Sequence, residues 1–239
     1  MEVKILSKEE INQQIASAII NLIKTKPNAV LGLATGSSPL GVYSLLVTAY
    51  KEGTISFKDI TTFNLDEYVG LDSNNNQSYH YYMNMNLFDQ IDIDKAKTNI
   101  PSGTGDIEAT ANEYDNKIAQ AGGIDLQILG LGSDCHIAFN EPGTPFDSLT
   151  HVTDIAESTI KDNARFFEKI EDVPTKAITM GLKSIMNAKK IVLIATGKNK
   201  AQAVYDMVKG TKDVTHPGSI LRDHGDCVIY LDKDAASLL

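Results

Sequence analysis

Short apolar runs separated by amphipathic stretches constrain this chain more than any other feature. AVLGLA (29–34), ITTFNLD (60–66), DLQILGLG (125–132), AITMG (177–181), KIVLIAT (190–196) and CVIYLD (227–232) each read as a strand. Their length favours strands over helices, and their near-continuous apolar character favours strands buried on both faces. Ser7 and Glu10 have capping-box spacing and open an amphipathic helix through IASAIINLI to about Lys24. SPLGVYSLLVTAY reads as a helix with Pro39 in its first turn, and SYHYYMNMNLF, DIEATANEYDNKIAQA, TIKDNARFFEKI, LKSIMNAK and NKAQAVYDMVKG as further helices. Strands alternating with helices predict an α/β fold, a mostly parallel sheet with helices on both faces. No internal repeat or low-complexity linker divides the chain, so residues 1–239 are expected to form a single domain.

In such sheets ligands bind beyond the carboxyl ends of the strands, in the crevice where strand order reverses. The loops after AVLGLA, ITTFNLD, DLQILGLG and KIVLIAT are therefore expected to share one site. Charge limits what that site can serve. With 22 Lys plus Arg against 31 Asp plus Glu, the net charge of −9 argues against nucleic acid and anionic membrane as partners. A small phosphorylated ligand needs only a few local cations and backbone N–H groups, and stays open. The N-terminal stretch has no signal-peptide pattern, no apolar run approaches about 18 residues, and the two cysteines have no metal spacing. These features predict a cytoplasmic protein.

Four groups of residues carry chemistry. Thr35, Gly36, Ser37 and Ser38 follow the first run, and their backbone N–H groups can approach an anion; a plain strand-to-helix turn fits equally well. Neither a Walker A loop nor a dinucleotide fingerprint is present. Asp66 and Glu67 end the second run, where one side chain can enter the crevice while the other turns away, although carboxylates also cap turns there. GLGSDCHIAFNEPG places His136 two residues from Asp134 and five from Glu141. Carboxylates around an imidazole favour its charged form and let it act as acid and base near neutral pH. A metal bound by the same three residues is the weaker alternative, since no second His lies nearby. Arg165, Lys198 and Lys200 could hold a phosphate, or could be ordinary solvated cations.

Taken together, LGLATGSSPLGVY, FNLDEYVGL, SYHYYMNMNLF, GLGSDCHIAFNEPG, NARFF, AITMG and GKNKAQAV resemble the glucosamine-6-phosphate deaminase (isomerase) family nearly end to end. HIAFNEPG is the most specific element; the related 6-phosphogluconolactonases share an Asp-x-His element without that continuation. The resemblance implies a Rossmann-like domain and a metal-free, cofactor-free conversion of glucosamine 6-phosphate to fructose 6-phosphate and ammonium. It gives Asp66 the role of the base at C2 and His136 that of moving the ring oxygen's proton, with Asp134 and Glu141 flanking it. It assigns Thr35, Gly36, Ser37, Ser38, Arg165 and Lys200 to the phosphate. A galactosamine-6-phosphate deaminase and a non-catalytic sensor of amino-sugar phosphates are the alternatives, and a homo-oligomer stays open.

The chain departs from the family pattern in three places. Cys135 stands where the family commonly has Gly, and alkylation of its thiol is expected to inhibit, with bound substrate protecting. Gly218 and Arg222 depart in THPGSILRDH. SLTHVTDI lacks the basic residues that allosterically regulated members carry after NEPG, and the tail is short, so simple hyperbolic kinetics are expected.

Overall fold

Central strands that carry no polar alternation must be covered on both sides, and a parallel sheet between two helical layers does this. A computed structural model describes residues 1–164 and 167–239. In chain order the main-sheet strands are β1 (Glu2–Ile5), β2 (Val30–Leu33), β3 (Thr61–Asn64), β5 (Thr98–Asn99), β6 (Leu126–Gly130), β9 (Ile191–Ala195) and β10 (Cys227–Leu231). The remaining strands, β4 (Asp66–Tyr68), β7 (His151–Asp154) and β8 (Lys176–Thr179), form a separate sheet in the order β4-β8-β7, antiparallel throughout. The main sheet runs β1-β10-β9-β6-β2-β3-β5, with every pair parallel.

The helices are α1 (Lys8–Thr25), α2 (Leu40–Lys51), α3 (Tyr79–Asn86), α4 (Ile107–Gln120), α5 (Glu157–Asn163), α6 (Leu182–Met186) and α7 (Ala201–Val208). The predicted capping box opens α1: the Glu10 N–H donates to Ser7 Oγ at 3.3 Å, and the Ser7 N–H to Glu10 Oε2 at 2.9 Å. Ile11, Ile15, Ile19 and Ile23, four residues apart, then form its buried face. The chain leaves β2 one way through β3 to β5 and leaves β6 the other way through β9 to β10, so strand order reverses between β2 and β6. Right-handed crossovers put α1, α2 and α3 on one face and α4, α6 and α7 on the other. α1 packs on α2 and α2 on α3, while α6 and α7 both pack on the 3-10 turn Pro217–Asp223.

One junction governs the site. After β3 the Leu65 N–H still donates to Leu33 of the main sheet at 3.2 Å, but its carbonyl accepts Met180 N–H at 2.7 Å. The next residue, Asp66, pairs with Thr179 in the small sheet. The run ITTFNLD is thus two strands divided at Leu65, and AITMG contributes to the small sheet rather than the parallel one. The helix expected over 159–170 is also corrected. α5 begins at Glu157 and ends at Asn163, residues 167–169 form a bend, and Ile170–Asp172 is a 3-10 turn. Tertiary contacts turn the chain there: Asn163 Nδ2 donates to Tyr68 Oη at 2.9 Å, and Phe167 packs edge-on against the Tyr68 ring at 5.8 Å. β1, β5 and β7 carry no apolar run and were not expected. Among the described residues no helix is long and apolar enough to cross a membrane.

Candidate active site

A cavity of about 200 Å³ opens at the carboxyl ends of the main-sheet strands, across the point where their order reverses. The four predicted loops supply its walls: residues 34–38 after β2, Leu65 and Asp66 after β3, residues 130–132 with His136, Ala138 and Phe139 after β6, and Lys200 after β9. Arg165 lies outside the described residues. Lys198 is exposed in a 3-10 turn and does not line the cavity.

The loop after β6 is a tight turn. The Gly132 N–H donates to the His136 carbonyl at 2.9 Å, and the Cys135 N–H to the Gly132 carbonyl at 3.2 Å. This folds the imidazole flat over Gly132, where a Cβ would sit 2.3 Å from His136 Cε1, so only glycine fits beneath the ring. His136 Nδ1 is 2.6 Å from Asp134 Oδ1 and 3.5 Å from Glu141 Oε2. Glu141 is itself held by the Ala156 N–H, which donates to Oε1 at 3.3 Å. Burial pushes the Asp134 carboxyl up, but the hydrogen bonds and charge of His136 outweigh it and bring the carboxyl down to about 2. An ionised Asp134 keeps the proton on Nδ1, which leaves Nε2 for chemistry in the cavity.

The three donor groups come within 4.8 Å of one another, close enough to raise the metal alternative. Two ligands on one ion at about 2.1 Å and right angles stay about 3 Å apart. The Nδ1 to Oδ1 separation of 2.6 Å is shorter, and is that of a charge-assisted hydrogen bond.

Asp66 sits in a different environment. It is 6% exposed, lines the cavity, and among the described residues nothing donates a hydrogen bond to its carboxylate. Burial, reinforced by the charge of Glu67, raises it to about 8. Glu67 points the other way, as alternation along a strand requires. Its buried carboxylate accepts the N–H groups of Tyr68, Tyr79 and His80 at 2.9–3.0 Å and pairs with His80 Nδ1 at 2.9 Å. Glu67 thereby ties the first turn of α3 to β4.

Thr35, Gly36, Ser37 and Ser38 all line the cavity, and none of their backbone N–H groups donates to a carbonyl among the described residues. Sequence reasoning did not single out Thr159, Asn163 or Tyr79, which also face the cavity. The i, i+4 spacing of Thr159 and Asn163 is the signal that would have found them.

Two of the departures explain each other. Cys135 adopts φ +71°, a conformation that favours glycine and costs a side chain about 1 kcal/mol. Its carbonyl accepts the Gly218 N–H at 2.8 Å, and a Cβ at Gly218 would lie 3.0 Å from that carbonyl oxygen and 3.2 Å from Cys135 Sγ. Gly218 makes room for the thiol. Cys135 is fully buried, does not line the cavity, and burial pushes its thiol up to about 12. Burial settles which influence on the thiol wins: a buried, protonated thiol is a poor nucleophile, so alkylation should be slow. Nothing in the structure explains Arg222.

The fold and cavity define an α/β protein arranged for acid–base chemistry on an anionic ligand. Residues 6–229 match the profile of the glucosamine-6-phosphate isomerases/6-phosphogluconolactonase family, and the chain belongs to that family. It is 53% identical over 240 residues to a glucosamine-6-phosphate deaminase of Clostridium novyi (strain NT), covering 99% of this chain and all of the relative. A second glucosamine-6-phosphate deaminase, from Mycoplasma mycoides subsp. mycoides SC, is 52% identical over 98% of this chain and 95% of its own length. Among solved structures, a monomeric glucosamine-6-phosphate deaminase superposes with a TM-score of 0.98 at 44% identity, with both chains fully covered. A 6-phosphogluconolactonase from Thermotoga maritima shares the fold, with a TM-score of 0.77 at 23% identity over 97% of this chain and 99% of its own.

Proposed function

We propose that this chain is a glucosamine-6-phosphate deaminase, which converts glucosamine 6-phosphate and water to fructose 6-phosphate and ammonium without metal or cofactor. The observation that carries the proposal is the pairing, in one cavity, of a buried carboxylate that accepts no hydrogen bond among the described residues with an imidazole whose Nδ1 faces two carboxylates. In the proposed sequence His136 moves the proton of the C1 hydroxyl to the ring oxygen as the C1–O5 bond breaks. Asp66 takes the C2 proton of the open chain and returns it to C1. With O1 taking up a proton from the C2 amine, the aldehyde becomes the C1 alcohol and the amine an imine, which water hydrolyses to the ketone and, with one proton from solvent, ammonium. A base held near 8 keeps a bound proton long enough to deliver it to C1, which a carboxylate at about 4 does poorly.

The N–H groups of residues 35–38 and the Lys200 ammonium receive the phosphate, together with Arg165 by family resemblance. The chain is proposed to act as a monomer in the reducing cytoplasm. The close superposition on a monomeric deaminase and two buried free cysteines support this. The test is ammonium release from glucosamine 6-phosphate and from galactosamine 6-phosphate with a chelator present. Turnover of the glucosamine epimer that survives the chelator is expected. Preference for the other epimer, binding without turnover, or loss on chelation restored by a divalent ion would each overturn the proposal. Rate against substrate should be hyperbolic, and a sigmoidal curve would refute unregulated monomer behaviour.

A further inference from the structure

The loop after β2 has no side-chain cap to fix it: Pro39 precedes α2 without a capping bond. What fixes it comes from two tyrosines. Tyr43 Oη, on α2, donates to the Ala34 carbonyl at 2.6 Å, and Tyr82 Oη, on α3, donates to the Gly36 carbonyl at 2.6 Å. A trans peptide carries its C=O and the next residue's N–H on opposite sides of one rigid plane. Pinning the Ala34 carbonyl therefore sets the direction of the Thr35 N–H, and pinning the Gly36 carbonyl sets that of the Ser37 N–H. Both N–H groups are turned away from the tyrosines and belong to residues of the cavity wall. Burial raises both phenols well above their usual range, so they stay donors at any working pH.

We infer that Tyr43 and Tyr82 are positioning residues for anion binding, which hold the peptides 34–35 and 36–37 so that alternate N–H groups of the loop converge on one phosphate. The inference rests on the proposed phosphate role of this loop. Without the clamps each peptide plane could rotate and present its carbonyl, whose partial negative charge repels the ligand. The two tyrosines come from different helices and hold different peptides, so losing both should cost more than losing either one.

The test compares Tyr82→Phe, Tyr43→Phe and the double variant with wild type, with Tyr81→Phe as the control for losing a solvent-facing phenol on α3. Inorganic phosphate is the probe, titrated calorimetrically, alongside steady-state turnover of glucosamine 6-phosphate. Tyr82→Phe should weaken phosphate binding and raise KM about fivefold to tenfold, the size of one hydrogen bond, while kcat stays within about twofold. Tyr81→Phe should change neither. The double variant should lose more than either single variant. Tyr82→Phe that binds phosphate like wild type, or loses kcat instead of KM, would overturn the inference. If Tyr43→Phe does not fold, Tyr82→Phe decides alone. A wild type that binds phosphate but releases no ammonium would sink the proposed activity and leave the clamp standing. A wild type that binds no phosphate would sink the clamp itself.

Discussion

Asp66 and Asp134 are the same residue type, each just beyond the carboxyl end of a main-sheet strand, β3 and β6, yet their carboxyls move in opposite directions. Asp134 rises through burial but falls further through His136, ending at about 2. Asp66 has burial and the Glu67 charge both pushing upward, and among the described residues no hydrogen-bond donor opposes them. The difference lies in partners more than in depth. One strand end supplies a permanently charged carboxylate that orients a ring; the other supplies one that exchanges its proton near neutral pH. Such separation of two carboxylates is how a single cavity holds an acid–base pair at one pH.

The strongest way to break this comparison is Asp66→Asn. We expect kcat to fall ~10³-fold and exchange of the C2 proton with solvent to cease, with phosphate affinity within about twofold of wild type. The same variant sharpens the comparison through stability. A folded pKa of about 8, raised above an unfolded value near 3.9, means that the native state binds the extra proton between those limits. Wild-type stability therefore falls as pH rises through that window, and the whole penalty is present above about pH 8. Asp66→Asn should be more stable than wild type at pH 9 by a few kcal/mol, and nearly equal to it at pH 4. Thermal melts at the two pH values check this.

Next in size, His136→Gln should slow turnover of the closed sugar ~10²-fold but affect an open-chain analogue far less. Equal losses on both substrates would mean that the two carboxylate systems do not divide the reaction. In the wild type, kcat/KM should climb roughly tenfold or more between pH 6 and pH 8 as Asp66 ionises, and a flat profile over that range would show that Asp66 is not the titrating base. The smallest effect concerns the support of the imidazole loop. Gly218→Ala alone should cost a few-fold in kcat and about 1 kcal/mol in stability, by crowding Cys135. Cys135→Gly in the same chain should recover the part of that loss due to the thiol and leave the part due to the 135 carbonyl, and a double-mutant cycle without coupling would dismiss the thiol contact.

The residues that were legible beforehand share a local cause. The capping box of Ser7 and Glu10, the apolar runs of β2, β6, β9 and β10, and the spacing of Asp134, His136 and Glu141 all express themselves within a few positions of the chain. What was not legible depends on distant partners. ITTFNLD is one unbroken strand pattern, and its division at Leu65 is visible only once Met180 N–H takes the Leu65 carbonyl. β7 is partly exposed and lacks an apolar run, so only pairing with β8 makes it a strand. NARFFEKI has helical composition, but α5 ends at Asn163, and the contacts of Asn163 and Phe167 with Tyr68 are not visible in the sequence. In the site, the opposite directions of Asp66 and Asp134 required knowing which carboxylate had a donor.

The contact between Cys135 and Gly218 also fixes an order of events in descent. Shrinking a side chain at 218 opens space and disturbs nothing, whereas a thiol arriving at 135 opposite a methyl group at 218 meets it at about 3.2 Å. A lineage can therefore cross freely by losing the methyl first, while the reverse order passes through a strained intermediate. With Cys135 in place, a methyl group returning to 218 meets both its carbonyl oxygen and its thiol, so that reversal carries a cost which the forward order avoids.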